Sequence, residues 1–197
     1  SLKLFKPSIC NRLDRNTSGI IVFAKTYKAA ALFAKALKDR TIHKYYLCLV
    51  KGRIDKEGMS NAFLKKDETS NKVKVSDEEG DRAAGICTAF RPLAFTDEYT
   101  LLEVDLITGK SHQIRAQMAY LGHPLIGDYK YGDRLLNDML KSRCRISSQA
   151  LHAYKLVIPA YDDNGISRFS GTYRAQPPED MKELIRELFD IDLKDID

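Results

Sequence analysis

The chain has no tryptophan, only four cysteines and six prolines in 197 residues, and no apolar run near the ~20 residues a membrane-spanning helix needs. Cys10, Cys48, Cys87 and Cys144 lie far apart without a CxxC pair, which excludes a zinc ribbon or a dithiol redox motif. They read as reduced, mostly buried small side chains. His43, His112, His123 and His152 show no HExxH spacing, so no metal is expected. A Gly-rich phosphate loop with a second acidic metal ligand is also missing, which places phosphoryl transfer low among the possible activities. The opening Ser-Leu-Lys-Leu-Phe-Lys-Pro lacks the apolar core of a signal peptide, so a soluble, cytoplasmic protein is expected.

What is present fits one globular domain spanning residues 1–197, with 44% hydrophobic and 30% charged residues. Lys and Arg exceed Asp and Glu by 32 to 27, a net +5 that mildly favours an anionic partner. Eight of the acidic residues follow Gln176, so the remainder is more basic than the total implies.

Asn11 to Gly19, Asn-Arg-Leu-Asp-Arg-Asn-Thr-Ser-Gly, sets one carboxylate, Asp14, between Arg12 and Arg15. Turn residues then run into Ile20-Ile21-Val22-Phe23, read as a buried strand, and a loop at the mouth of a strand positions a reactive group well. On pattern alone, Asp14 is equally a catalytic candidate and a member of a surface ion pair.

Thr26 is expected to cap a helix from Tyr27 to Asp39 with a buried stripe at Ala30, Phe33, Ala34 and Leu37. The aromatic and branched run from His43 to Gly52 reads as a strand ending in a turn. Residues 53–85 are polar and charged, with turn clusters at Asp67 to Asn71 and Asp77 to Asp81. They suggest a hairpin insertion whose Lys72-Val73-Lys74-Val75 forms an edge strand. Ile86 to Leu93 and Tyr99 to Thr108 read as two antiparallel strands.

Thr108-Gly109-Lys110-Ser111 opens a helix from His112 to Leu121, with Gly122 just past its end. Ile114, Met118 and Leu121 share one face, His112, Arg115 and Ala119 another. Arg115, Lys110 and the first amides of this helix suggest an anion site, although Arg115 could equally cover a helix flank. After an irregular Gly-rich connection to Gly132 come a polar or helical segment from Arg134 to Ser148 and a strand from Leu151 to Ile158. A last strand is expected near Phe169 to Ala175. Met181, Leu184, Ile185 and Leu188 then mark a docking amphipathic helix after Pro177-Pro178. The pattern predicts an α+β fold, a mixed and mainly antiparallel sheet with flanking helices and a central cleft.

Taken in order, these segments resemble the RluA-type pseudouridine synthases, which isomerise selected uridines in RNA. The Asn11–Gly19 stretch is similar to that family's His-Arg-Leu-Asp-x-x-Thr-Ser-Gly motif. Lys44 to Gly52 is similar to its Lys-x-Tyr-Leu-Ala-Leu-Val-x-Gly segment, and Thr108 to Gly132 to its Thr-Gly-Arg-x-His-Gln-Ile-Arg motif with the following Gly-His-Pro and Gly-Asp elements. Leu151-His152-Ala153 is similar to its C-terminal signature. The resemblance implies that Asp14 is the catalytic aspartate, Tyr46 the active-site tyrosine and Arg115 the basic partner of the aspartate. It implies that Arg12 helps fill the space left by the extruded base. Asn11 stands where the family has His, and Lys110 where Arg is common. The N-terminal S4-type RNA-binding module that family members often carry is not found in this sequence.

Such a reaction breaks the bond from uracil N1 to ribose C1′, turns the base and rejoins it through C5. It resembles glycoside transfer, in which a carboxylate attacks C1′ or stabilises positive charge at the sugar. Uracil leaves as a delocalised anion and is retained, so one Asp suffices and no cofactor is expected. Attack at C1′ and proton abstraction from C2′ through a glycal both use that Asp. Tyr46 offers a ring for base stacking, worth ~1 to 3 kcal/mol, and a hydroxyl for proton transfer at C5. Arg15, Lys110, His112 and Lys130 are expected to contact RNA, a structured rRNA or tRNA, with no obligate protein partner. The rival reading is a catalytically idle relative that binds RNA.

Overall fold

The computed structural model describes residues 5–67, 69–70, 72–160 and 165–192. Glu68 and Asn71 of the expected turn cluster, and the last five residues of the acidic tail, lie outside them.

The strands are β1 (Ser8–Ile9), β2 (Ser18–Gly19), β3 (Phe23–Ala24), β4 (His43–Lys51), β5 (Gly58–Lys66), β6 (Val73–Ser76), β7 (Ala84–Phe95), β8 (Tyr99–Asp105), β9 (Leu151–Ile158) and β10 (Gly171–Arg174). The α-helices are α1 (Tyr27–Lys38), α2 (Gln113–Tyr120), α3 (Arg134–Cys144) and α4 (Glu179–Phe189), with a short 3-10 turn at Ile166–Phe169. The main sheet runs β10-β9-β4-β8-β7-β5-β6, and β2 joins it through a parallel pairing with β9. Its other pairings are antiparallel, so the domain is the expected α+β arrangement.

β4 and β8 form the centre. On one face Tyr46, Cys48, Val50, Leu102 and Val104 pack with Ile114 and Met118 of α2. On the other, Leu47, Leu49, Tyr99 and Leu101 pack beneath α3 and α4. The period-two alternation of β8 therefore separates two buried faces rather than a core from solvent. A bulge at Tyr45/Tyr46, where Tyr45 pairs with Lys155 and Tyr46 with Ala153, leaves Tyr154 as the extra residue.

Three expectations are corrected. Ile20 to Phe23 do not form a buried strand: only Phe23 and Ala24 are extended in β3, with Phe23 and Ile21 exposed. Four apolar residues cannot all face a core in a segment whose partner is the two-residue β1. The polar stretch after Arg53 holds the expected hairpin, β5 with β6, but its first arm is a nine-residue strand joined to β7 in the main sheet. That strand needs few apolar side chains because Met59 and its neighbours lie at the periphery. The buried stripe of α1 has the right period but sits one residue earlier, with Phe33 and Ala36 buried and Ala34 exposed. Phe33 and Ala36 pack there against Leu156, Ile158 and Ile166.

Other elements match closely. Thr26 Oγ1 accepts from the Ala29 amide as the α1 cap, and Val73–Ser76 is the edge strand. The segment after Arg134 resolves into α3, capped by Asp133, which contributes Leu140 and Cys144 to the core. Met181, Leu184 and Ile185 are the buried face of α4.

Candidate active site

Asp14 ends a loop that three features hold in place. The Asn11 side chain donates to the Ile20 carbonyl at 3.1 Å and accepts from the Val22 amide at 2.8 Å, so one amide group clips the loop to the returning chain. Asn suits this position because it supplies a donor and an acceptor at once. A turn closes from the Thr17 amide to the Asp14 carbonyl at 3.0 Å, with Asn16 in the left-handed region that Asn tolerates. The Gln149 side chain ties this turn down, donating to the Arg15 carbonyl and to Thr17 Oγ1.

β2 then fixes the register. A Cβ at Gly19, with φ +123°, would lie 2.3 Å from the Ala153 carbonyl oxygen, so only Gly fits. Buried His152 bonds the Ala175 carbonyl through Nε2 at 3.0 Å. A carbonyl only accepts, so Nδ1 is left to accept from the Ser18 hydroxyl at 2.7 Å. Burial lowers the His152 pKa, in keeping with a neutral ring.

Opposite this loop stands the N-terminus of α2. The His112 amide donates to Asp14 Oδ1 at 3.4 Å, and Arg115 Nη1 lies 3.6 Å from Oδ2. The anion expected at this helix end is thus the Asp14 carboxylate itself. The amides of Lys110 and Gln113 are not free, because each is bonded within the entry turn.

Arg115 is buried, and its closest partner is one that sequence reasoning passed over. Its Nε and Nη2 bind Asp128 in a bidentate pair at 2.7 and 2.9 Å. Asp128 also accepts from the amides of Lys130 and Tyr131, and the guanidinium lies over the Tyr131 ring. Burial opposes the Asp128 charge, but the Arg115 hydrogen bonds, the Arg115 charge and the two amides outweigh it and hold the carboxyl below its ordinary range. Asp128 was legible only as part of the Gly-Asp element. The usable signal was that a buried Arg needs a close carboxylate.

The space between these groups is a cleft of about 440 Å³ lined by Asp14, Tyr46, Arg12, Lys44, Lys110 and His112, among others. Tyr46 reaches it from the centre of β4. Burial first, and then the Asp14 charge, push its pKa to about 12, so its hydroxyl stays protonated. Arg12 and Lys110 are exposed at the cleft wall. Arg15 is exposed on the turn outside the lining, and Lys130 sits behind His112, with Nζ 3.5 Å from Nδ1.

Lys44 is a lining residue that sequence reasoning left out of the site. It lies two positions before Tyr46, on the same strand face, and burial lowers the pKa of its amine. Among the described residues no group of three or more His, Cys, Asp or Glu is placed to hold a metal ion.

The sequence pattern described as RNA pseudouridylate synthase matches residues 1–120, which include Asp14, Tyr46 and Arg115. A protein of Mycoplasma genitalium described as an uncharacterized RNA pseudouridine synthase is 36% identical over 157 residues, 79% of this chain and 48% of that protein. The ribosomal large subunit pseudouridine synthase D of Nitrosomonas europaea is 32% identical over 182 residues, 92% of this chain and 51% of that protein. The chain thus spans about half the length of these curated relatives. The fold is shared with human RNA pseudouridylate synthase domain containing 4, with a TM-score of 0.72 at 22% identity, over 92% of this chain and 76% of that one. By that match over more than half its length, the chain belongs to the RNA pseudouridylate synthase family.

Proposed function

We propose that residues 1–197 form one catalytic domain of a cytoplasmic RNA pseudouridine synthase that isomerises specific uridines in structured rRNA or tRNA, without metal or cofactor. The observation that carries this reading is the Asp14 carboxylate, held in the cleft by the α2 N-terminus and Arg115 but saturated by neither. No helix among the described residues is long and apolar enough to cross a membrane.

Asp14 acts on the ribose of the target nucleotide, at C1′ as a nucleophile or at C2′ as a base. The N1–C1′ bond breaks with its electron pair passing to uracil, the base turns, and C5 bonds to C1′. The C5 proton is then lost and N1 gains one, so the product is an isomer of the substrate. Arg115 orients the carboxylate through its guanidinium, while Tyr46 supplies a ring against the base, and its protonated hydroxyl serves as a donor. Extruding the uridine costs a few kcal/mol, offset by contacts in the cleft and by Arg12, Arg15, Lys110 and Lys130 against phosphates.

The test is tritium release from RNA carrying 5-tritiated uridine. The intact protein is expected to release tritium, and Asp14→Asn to lose about 10³-fold or more of the rate. Binding of RNA by the intact protein without release would instead make it an idle RNA-binding relative.

A further inference from the structure

His112 lines the cleft, and its ring is linked through the Tyr131 hydroxyl to the backbone of β6. Its backbone amide donates to Asp14, and its φ of +57° puts it in the left-handed region at the start of α2. Ring Nδ1 lies 2.9 Å from the Tyr131 hydroxyl and 3.5 Å from Lys130 Nζ. The Tyr131 oxygen accepts from the Val73 amide of β6 at 2.9 Å and still carries a proton that it can donate. An ammonium group can only donate. An Nδ1 proton would point at the Lys130 ammonium, so the unprotonated nitrogen is the one that fits here, and the Tyr131 proton then finds its acceptor on it.

We propose that Tyr131 and Lys130 hold His112 as the neutral tautomer protonated at Nε2, and that this N–H donates to an acceptor oxygen of the target nucleotide. The inference rests on the proposed function for its substrate but not for its chemistry at the ring. Nε2 has no hydrogen-bond partner among the described residues, and His112 is one of the residues that line the cleft. His112 is thus a substrate-contacting residue, and Tyr131 is a positioning residue that acts through it.

The charged and titratable groups around the ring agree. Burial lowers the His112 pKa, the Asp14 charge raises it, Arg115 and Lys130 lower it, and Asp128 raises it, with a net lowering. Burial also raises the pKa of Tyr131, so its phenol keeps the proton it donates. Lys72 adds positive charge near Lys130. A base with a lowered pKa stays neutral down to a lower pH than usual. Protonation of Nδ1 would leave the Nε2–H in place but set a new proton against the Tyr131 and Lys130 donors and release the ring from its orientation. Activity that needs the oriented ring therefore falls only as pH drops through that lowered value.

Two measurements test this. The first needs no substrate: a histidine-ring ¹⁵N–¹H spectrum of the whole chain, with His112 signals assigned by their loss in His112→Gln. At about pH 7 the expected result is a bare Nδ1 and a protonated Nε2, titrating below the ordinary ~6.5. The opposite tautomer, or an imidazolium at that pH, would overturn the proposal even if the protein is a synthase.

The second follows kcat/KM for tritium release against pH. His112→Gln, which keeps a neutral N–H donor, is expected to stay within about 10-fold of the intact protein, with His112→Ala falling about 10-fold further. Tyr131→Phe is expected to move the acid limb to higher pH, because a donor that favours the neutral ring is gone. An unmoved limb with an unmoved ring titration would remove Tyr131 from the role. Thio substitution at the uracil carbonyls or at the flanking phosphate identifies the oxygen, as the change that slows the intact protein but not His112→Ala. If no position behaves so, the contact itself is refuted. A bare Nδ1 with no tritium release by the intact protein would fail the proposed function and leave the tautomer standing.

Discussion

The two faces of the β4–β8 centre each carry a carboxylate among cations, and they treat it in opposite ways. On the face beneath α3 and α4, Glu103 of β8 takes Arg91 Nε at 2.6 Å, Lys155 Nζ at 2.6 Å and the Tyr154 hydroxyl. The side chain keeps 6% of its surface exposed. On the cleft face Asp14 receives one amide at 3.4 Å and one guanidinium group at 3.6 Å, and keeps 21% exposed. Between the extremes of role, Asp128 shares Arg115 with Asp14 but takes the short bidentate pair and is fully buried. A carboxylate with short bonds at both oxygens is part of the scaffold. One left with long contacts beside a cleft keeps capacity for a substrate.

The comparison can be broken first at Asp128. Asp128→Asn leaves a buried guanidinium without its bidentate partner and is expected to cost ~3 to 5 kcal/mol in urea denaturation. Its depressed pKa adds a pH signature. The Asp128 contribution is present above the ordinary carboxylate pKa and is lost as pH falls through the lower folded value, so Asp128→Asn should flatten the acid side of the stability profile. A loss below about 1 kcal/mol would mean that Asp14 replaces Asp128 as the Arg115 partner.

Glu103→Gln gives the next largest effect. It leaves Lys155 and Arg91 without a charged partner and is expected to cost ~1 to 3 kcal/mol while leaving tritium release at saturating RNA unchanged, because Glu103 faces away from the cleft. Loss of activity at unchanged stability would place Glu103 in the chemistry and remove the contrast between the faces.

Much of this arrangement was legible in the chain itself. The strands at His43–Lys51 and Leu151–Ile158, α1 with its Thr26 cap, and α4 carry strong periodic patterns or caps, and local chemistry decides them. The Asp14 loop, Tyr46 and Arg115 were legible as motif residues. The strand β5 was hidden because a peripheral strand needs few apolar residues. Asp128, Tyr131 and Gln149 were hidden for a different reason: their roles exist only as contacts across 10 or more residues, such as Gln149 on the Arg15 carbonyl. Asn11, a departure from the family pattern in sequence, proved to be a clip on the backbone of Ile20 and Val22.

The smallest expected change in stability carries the central claim, that the Asp14 carboxylate is held for chemistry rather than for folding. The direct measurement is urea denaturation of Asp14→Asn beside the intact protein, in the preparation whose tritium release has been lost. Stability within about 0.5 kcal/mol of the intact protein, or above it, is the predicted result. A loss of ~3 kcal/mol or more, like that expected for Asp128→Asn, would contradict the account and make Asp14 a structural partner of Arg115.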